Sequence, residues 1–192
     1  MKISLIISTY NSPGMLRLCM MSVAKQIVMP DEVIIADDGS TEETKELIEE
    51  YTKILTCKVK HAWQEDRGFR LAESRNNALR MCEGDYVVFV DGDIIMERHF
   101  IKDHKKLAEK GYFVMGSRSK LKSDISQHLI KHKSIQRHWY SRGVKSRFNS
   151  LYMPWLSFYT KNMYKERPRK GRGANMAMFM SDLIAVNGFD SD

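Results

Sequence analysis

Three short apolar runs along this chain each stop at a polar or acidic cluster, and each is followed by a segment of helical periodicity. Lys2 to Thr9, with Ile3-Ser4-Leu5-Ile6-Ile7-Ser8 inside it, has the composition of a buried strand and ends in Thr9-Tyr10-Asn11-Ser12-Pro13-Gly14. Glu32 to Ala36 is a second such run, ending in Asp37-Asp38-Gly39-Ser40-Thr41 ahead of a helix-like stretch from Glu42 to Lys53. Tyr86 to Val90 runs straight into Asp91-Gly92-Asp93, and a helix is predicted over Glu97 to Lys110. Strand, polar turn and helix in repetition predict βαβ units and an α/β fold, whose parallel strands end together on one rim. That rim would gather Tyr10, Asp38, Asp91 and Asp93 into a single crevice. Ser40 or Thr41 is the expected N-cap of the second helix, and Asp37 the acid that serves its own turn.

The Asp91-Gly92-Asp93 triplet has two readings. Asp-Gly is ordinary turn chemistry at a strand end. Paired carboxylates at the carboxyl edge of a sheet also suit Mg²⁺ or Mn²⁺, and Mg²⁺ is usually held by one or two carboxylates together with substrate phosphates. On the second reading the rim takes a metal-bound diphosphate, and Gly92 lets that diphosphate approach the backbone.

Charge sharpens the division of the chain. Residues 1–101 carry 12 Lys/Arg against 17 Asp/Glu, a net −5; residues 102–172 carry 19 against 4, a net +15; residues 173–192 carry only 3 acids, a net −3. The basic block is interleaved with aromatics in His138-Trp139-Tyr140 and in the run from Leu151 to Tyr159. Such a field would attract anionic lipid headgroups or an acidic acceptor, and Trp and Tyr favour the headgroup level; a solvated surface is the plainer reading. Nucleic acid is not expected as a partner, because no zinc-finger, RRM or helix-turn-helix signature accompanies the bases. At 192 residues and 43% hydrophobic content, one domain is expected, without a membrane span or a signal peptide. Cys19, Cys57 and Cys82 are widely spaced in apolar or helical surroundings, which points to a reducing cytoplasm.

Ile7-Ser8-Thr9-Tyr10-Asn11, Asp37-Asp38-Gly39-Ser40 and Val90-Asp91-Gly92-Asp93, in that order, resemble the nucleotide-sugar-binding half of family 2 glycosyltransferases. Trp63 to Arg70, Arg75-Asn76-Asn77-Ala78, Gly173-Ala174-Asn175-Met176 and Asn187-Gly188-Phe189-Asp190 are similar to its galactosyltransferase-like and chondroitin-polymerase-like branch. The resemblance implies a GT-A fold, a Rossmann-like open and mostly parallel sheet with helices on both faces. It implies one domain over 1–192, with 1–116 binding the nucleotide sugar and 117–192 an incomplete acceptor-side half.

The same resemblance implies an inverting transfer of a sugar from a UDP-sugar to a saccharide or lipid-linked acceptor. The cysteines and the basic block place the expected activity on the cytoplasmic side, associated with the inner face of the plasma membrane through 102–172. Ser8 and Tyr10 would lie beside the base, Asp38 would accept the uracil N3–H, and Arg75 would reach the base or a phosphate. Asp93 would ligate Mn²⁺ or Mg²⁺, and Asp91 would reach the ribose or complete the metal shell. Asp66, with Arg67 in the same loop, and Asn175 would stand near the donor or acceptor sugar. For Arg70 and Arg80 a surface role is expected.

One departure bears on catalysis. In that branch Asn-Gly-Phe-Asp is followed by an acidic segment that supplies the general base, whereas Asp190 here matches the turn and Asp192 ends the chain. The base is therefore expected beyond residue 192, and a non-catalytic or truncated donor-binding module is the alternative. His128, His132 and His138 share no carboxylate or cysteine pair that would make them a metal site. His99 and His104 are expected to pack or to face solvent, and Met176, Met178 and Met180 alternate as in a buried strand. A dehydrogenase is disfavoured, since no Gly-x-Gly-x-x-Gly comes after the first strand.

Overall fold

A computed structural model describes residues 1–135, 144–145 and 174–190. The segments His138-Trp139-Tyr140 and Leu151 to Tyr159, Gly173 and Asp192 lie outside the described residues. The first half alternates strand and helix: β1 (Ile3–Thr9), α1 (Pro13–Ala24), β2 (Glu32–Asp37), α2 (Glu42–Ile54), β3 (Lys58–Trp63), α3 (Leu71–Arg80), β4 (Tyr86–Asp91) and α4 (Phe100–Leu107). Then come β5 (Val114–Met115), β6 (Lys120–Leu121), α5 (Ser123–Lys131), β7 (Val144–Lys145), β8 (Asn175–Phe179) and α6 (Met180–Ala185).

Six strands form one sheet in the order β3-β2-β1-β4-β8-β5. β1, β2, β3 and β4 are parallel, while β8 runs antiparallel between β4 and β5. β6 and β7 form a separate antiparallel pair. The predicted division at residue 116 is thus crossed by the sheet itself, because β8, from the far end of the chain, completes it.

β1 and β2 are buried along their whole length, so their sequences run apolar without alternation, as central strands covered on both faces do. Alternate residues still sort to two faces. Leu5, Ile7, Val33, Ile35, Val88 and Val90 pack with Leu16, Met20, Leu47, Ile48 and Ile101 from α1, α2 and α4. Ile6, Ile34, Val87 and Phe89 pack with Ala78 of α3 and Leu183 of α6. Each of these side chains, removed from water, contributes roughly 1.5–3 kcal/mol, which fixes the strand register and with it the alignment of the strand ends.

Two local expectations are revised. Thr41 occupies the N-cap position of α2, but its side chain makes no capping bond. Asn11 of the first loop accepts from Thr41 N–H through its side-chain oxygen at 3.0 Å, and Ser40 Oγ accepts from Asn11 N–H at 2.8 Å. α4 is shorter than the predicted 97–110: Glu97 folds back to accept from His99 N–H at 2.6 Å, and Ala108 turns to an extended ψ of 128°. Met176 and Met178 do alternate in β8, whereas Met180 opens α6.

Candidate functional site

The parallel register sets Ser8 of β1 beside Ala36 of β2 and beside Asp91 of β4. Asp38 follows β2 directly, its N–H donating to Thr9 O at 3.1 Å, so three of the predicted polar clusters do meet on one rim. Between them lies Arg75, carried from below by α3. Arg75 is 5% exposed; its Nε donates to Ser8 Oγ and its Nη2 to Asp91 Oδ1, both at 3.0 Å. The guanidinium also lies over the rings of Phe89 and Phe189, 6.0 and 5.5 Å from their centroids. A cation so placed is favoured by both rings and by its carboxylate.

Phe189 explains why two motifs more than a hundred residues apart belong to one site. Asn76 Nδ2 donates to Phe189 O at 2.8 Å, and Phe189 N–H donates to Asn76 Oδ1 at 2.9 Å. This paired bond fastens the Asn187-to-Asp190 turn onto α3, one residue from Arg75. The turn therefore roofs the arginine and seals it from water.

Asp37 and Asp38 have separate tasks. Asp37 is fully buried, accepting from Ser40 N–H and from His61 Nε2, each at 2.8 Å. Burial alone would lift its carboxyl, but the His61 and Ser40 hydrogen bonds more than offset that and hold it below the usual carboxylate range. Asp37 thus serves its own turn, as expected. Asp38 is buried as well, accepting from Gln64 Nε2 at 2.6 Å and from Arg70 N–H at 2.8 Å. Those bonds use one lone pair on each oxygen and leave another on each.

Arg70 has more than the expected surface role. Its Nη1 donates to Glu73 at 2.7 Å and its Nη2 to Glu65 O at 2.5 Å, so it braces the loop that supplies Gln64 and its own N–H to Asp38. Asp66 of that loop accepts from the Tyr10 hydroxyl at 2.8 Å and from Gly68 N–H at 3.1 Å. Tyr10 is 50% exposed, and the Asp66 bond raises its hydroxyl pKa. Arg67 turns outward to pair with Glu65.

At the end of β4, Asp91 and Asp93 differ sharply. The Asp91 side chain is 34% exposed and held on Oδ1 by Arg75, with the Arg118 guanidinium 3.9 Å from Oδ2. Burial lifts the Asp91 carboxyl above its ordinary value; Arg75 opposes the rise and Asp93 adds to it. Asp93 is exposed. Gly92 has a packing reason of its own: its N–H donates to Ser8 O at 2.8 Å, and a Cβ there would come within 2.9 Å of that oxygen. The glycine lets β4 close against β1.

Among the described residues no group of three or more His, Cys, Asp or Glu could hold a metal by itself. One exposed and one partly engaged carboxylate suit a hard cation that binds together with phosphates. The residues present fit Mg²⁺ or Mn²⁺ on those terms, with Asp93 as the ligand and Asp91 as its neighbour. His128 of α5 and its C-cap residue His132 have ring centroids 4.3 Å apart with the rings tilted by 42°.

Asn175 stands deeper than expected. Its side chain is buried, with Oδ1 3.3 Å from Nε2 of a fully enclosed His104. Sequence reasoning gave no role to Gln64, Asn76 or Arg118, and His104, expected to pack or to face solvent, is packed. For Gln64 and Asn76 a signal existed, since both lie inside motifs quoted for their neighbours.

The profile of the family described as "Glycosyl transferase family 2" matches residues 4–180. A validoxylamine A glucosyltransferase of Streptomyces hygroscopicus subsp. limoneus is 25% identical over 215 residues, covering 99% of this chain and 44% of the relative. The chondroitin synthase of Escherichia coli is 32% identical over 106 residues, 55% of this chain and 15% of the relative. Among solved structures, the mannosyltransferase PcManGT from Pyrobaculum calidifontis in complex with GDP-Man and Mn2+ aligns with all of this chain and 48% of its own, with a TM-score of 0.65 at 18% identity. At that identity the likeness is one of fold. The chain spans less than half the length of the curated relatives it matches.

Proposed function

Because this chain belongs to glycosyltransferase family 2, we propose that its rim binds a uridine diphosphate sugar and takes part in inverting transfer of that sugar to a saccharide or lipid-linked acceptor. The observation that carries the reading is the meeting of Ser8, Asp38, Arg75 and Asp91 on one edge, with exposed Asp93 beside them. Tyr10 lies across the base, and Asp38, its geometry fixed by Gln64 and Arg70, accepts the uracil N3–H on a remaining lone pair. Ser8 and the buried Arg75 set the floor on which ribose and phosphates rest. Asp66 closes the side of Tyr10, toward the sugar. Asn175 contributes from beneath.

Asp93 holds Mn²⁺ or Mg²⁺ with the donor's phosphates, and such an ion supplies neutralisation of the charge that grows on the departing diphosphate. The residues' own part is preorganisation: Arg75, clamped by Phe189 and Phe89, keeps Asp91 in place without a cost of reorganisation when the donor binds. The chain acts on the cytoplasmic side, in keeping with three free cysteines. Lys102, Lys105, Lys106 and Lys110, with exposed Tyr112 and Phe113, suit contact with an anionic membrane surface. Among the described residues no helix is long and apolar enough to cross a membrane.

The test is calorimetry of UDP with and without Mn²⁺. Binding that weakens about tenfold or more on metal removal, or on Asp93→Ala, is the expected result. UDP binding indifferent to both would overturn the metal-diphosphate reading.

A further inference from the structure

β5 runs antiparallel to β8 and therefore parallel to β4, so its carboxyl end leaves the sheet on the same rim as Asp91. The chain continues from β5 into Gly116-Ser117-Arg118. Gly116 N–H donates to Asn175 O at 3.1 Å, and a Cβ at Gly116 would overlap the Asn175 side-chain amide. Asn175 in turn is held through Oδ1 by His104. This stack of His104, Asn175 and Gly116 fixes the path of the loop, and the loop delivers Arg118 to the Asp91 carboxylate.

The two guanidiniums on Asp91 are held differently. Arg75 is enclosed and at hydrogen-bond distance, 3.0 Å, whereas the Arg118 side chain is 45% exposed and 3.9 Å away. The first separation is a committed bond; the second is an ion pair across open solvent, worth little where it stands. Charge decides what Arg118 does for the site. Asp91 and Asp93 against Arg75 alone would leave it negative, which repels a phosphate ester; with Arg118 the four side chains are neutral. A divalent cation then gives a surplus of positive charge that matches the dianionic pyrophosphate of a nucleotide sugar.

We propose that Arg118 is a pyrophosphate-binding residue, which turns from Asp91 to the donor's phosphate oxygens when the nucleotide enters, with Asn175 and His104 as the positioning residues that aim its loop. Turning away also uncovers Asp91 Oδ2. The proposal rests on the donor-binding reading above and adds to it the group that grips the phosphates. A guanidinium suits the task because its planar donors take two phosphate oxygens at once.

The experiment compares UDP with uridine, which lacks the phosphates, on the 192-residue chain in the same Mn²⁺ buffer by calorimetry. Wild type is expected to bind UDP far more tightly than uridine. Arg118→Gln is expected to weaken UDP about tenfold, the loss of one charge-assisted contact, and to leave uridine unchanged. Arg118→Lys is expected to restore part of the loss, and thermal melting of both variants to match wild type. If UDP binds wild type well but Arg118→Gln leaves the gap between UDP and uridine intact, the assignment of Arg118 fails while donor binding stands. A parallel loss of uridine binding also sinks the assignment, by showing damage to the whole pocket. Equal affinity of wild type for UDP and uridine overturns donor binding itself, and the role of Arg118 with it.

Discussion

Two pairs of aspartates end the strands that flank β1 on either side in the same sheet, and they have opposite fates. Asp37 and Asp38 at the end of β2 are buried, and each accepts two hydrogen bonds from the protein. Asp91 and Asp93 at the end of β4 are more open: one is held on a single oxygen by Arg75, and the other is exposed. The difference lies in what packs above each end. After β2, the loop from Gln64 to Arg70 folds down and supplies donors; after β4, what comes near is the half-exposed cation of Arg118, at 3.9 Å. The fold thus fills the accepting positions of the first pair more completely than those of the second.

The comparison breaks most sharply at Asp93. On the proposed role of Asp93, Asp93→Asn is expected to reduce donor turnover on the order of 10³-fold, by removing the proposed protein ligand of the metal, while melting temperature stays put because the side chain is exposed. Donor hydrolysis or transfer assays on the purified variant check it. Unchanged turnover would mean that the open pair is as structural as the closed one.

Asp37 should show the reverse. Asp37→Ala strands the Ser40 N–H and the His61 ring, at a cost of about 3 kcal/mol in urea unfolding. Because the folded-state pKa of Asp37 is depressed, its contribution is present above the unfolded value near 3.9 and is lost as pH falls below it.

The base of the Arg118 loop titrates in a different window. His104 is fully enclosed; burial pulls its pKa down to about 4, with the Asn175 bond opposing the fall. Since Asn175 Oδ1 can only accept, Nε2 carries the proton and Nδ1 is left without a hydrogen-bond partner. A second proton on the ring would place an unpaired N–H in the core. The unfolded chain takes that proton near pH 6.5, so stability is full above 6.5 and falls as pH drops toward 4, by roughly 2–3 kcal/mol. His104→Gln is expected to flatten this slope in pH-dependent denaturation, and a slope that survives the substitution would place its origin elsewhere.

Asn76→Ala should loosen the roof over Arg75. It removes two hydrogen bonds to Phe189, an expected loss of about 1–2 kcal/mol in stability with weakened UDP binding. The smallest effect belongs to Tyr10→Phe. The hydroxyl's bond to Asp66 is exposed, so stability should change by less than about 0.5 kcal/mol, and the ring proposed to lie across the base is retained. A large drop in UDP affinity for this variant would mean that the hydroxyl, not the ring, makes the contact.

Much of this architecture is legible in the chain alone. β1, β2 and β4 read as buried strands because both of their faces are covered, which leaves an unbroken apolar run. Their acidic ends are legible because a strand's last residues leave the core at a fixed place. The role of Gly92 is not, since its constraint comes from Ser8 O on the adjacent strand. The cap of α2 escapes sequence reasoning for a similar reason: the partner of Thr41 N–H is Asn11, thirty residues away.

By itself, the sequence determined β1, β2 and β4, the helical segments after them and the chemistry at those three strand ends, because burial and turn-forming residues act locally. Only the tertiary structure decided which carboxylates are satisfied and which stay open. That outcome depends on donors brought by Gln64, Arg70, Arg75 and Arg118 from other elements, and by Phe189 closing from the far end of the chain. Hydrogen bonds and charges count only over a few ångströms, and distances of that order between remote segments exist only once the sheet has formed.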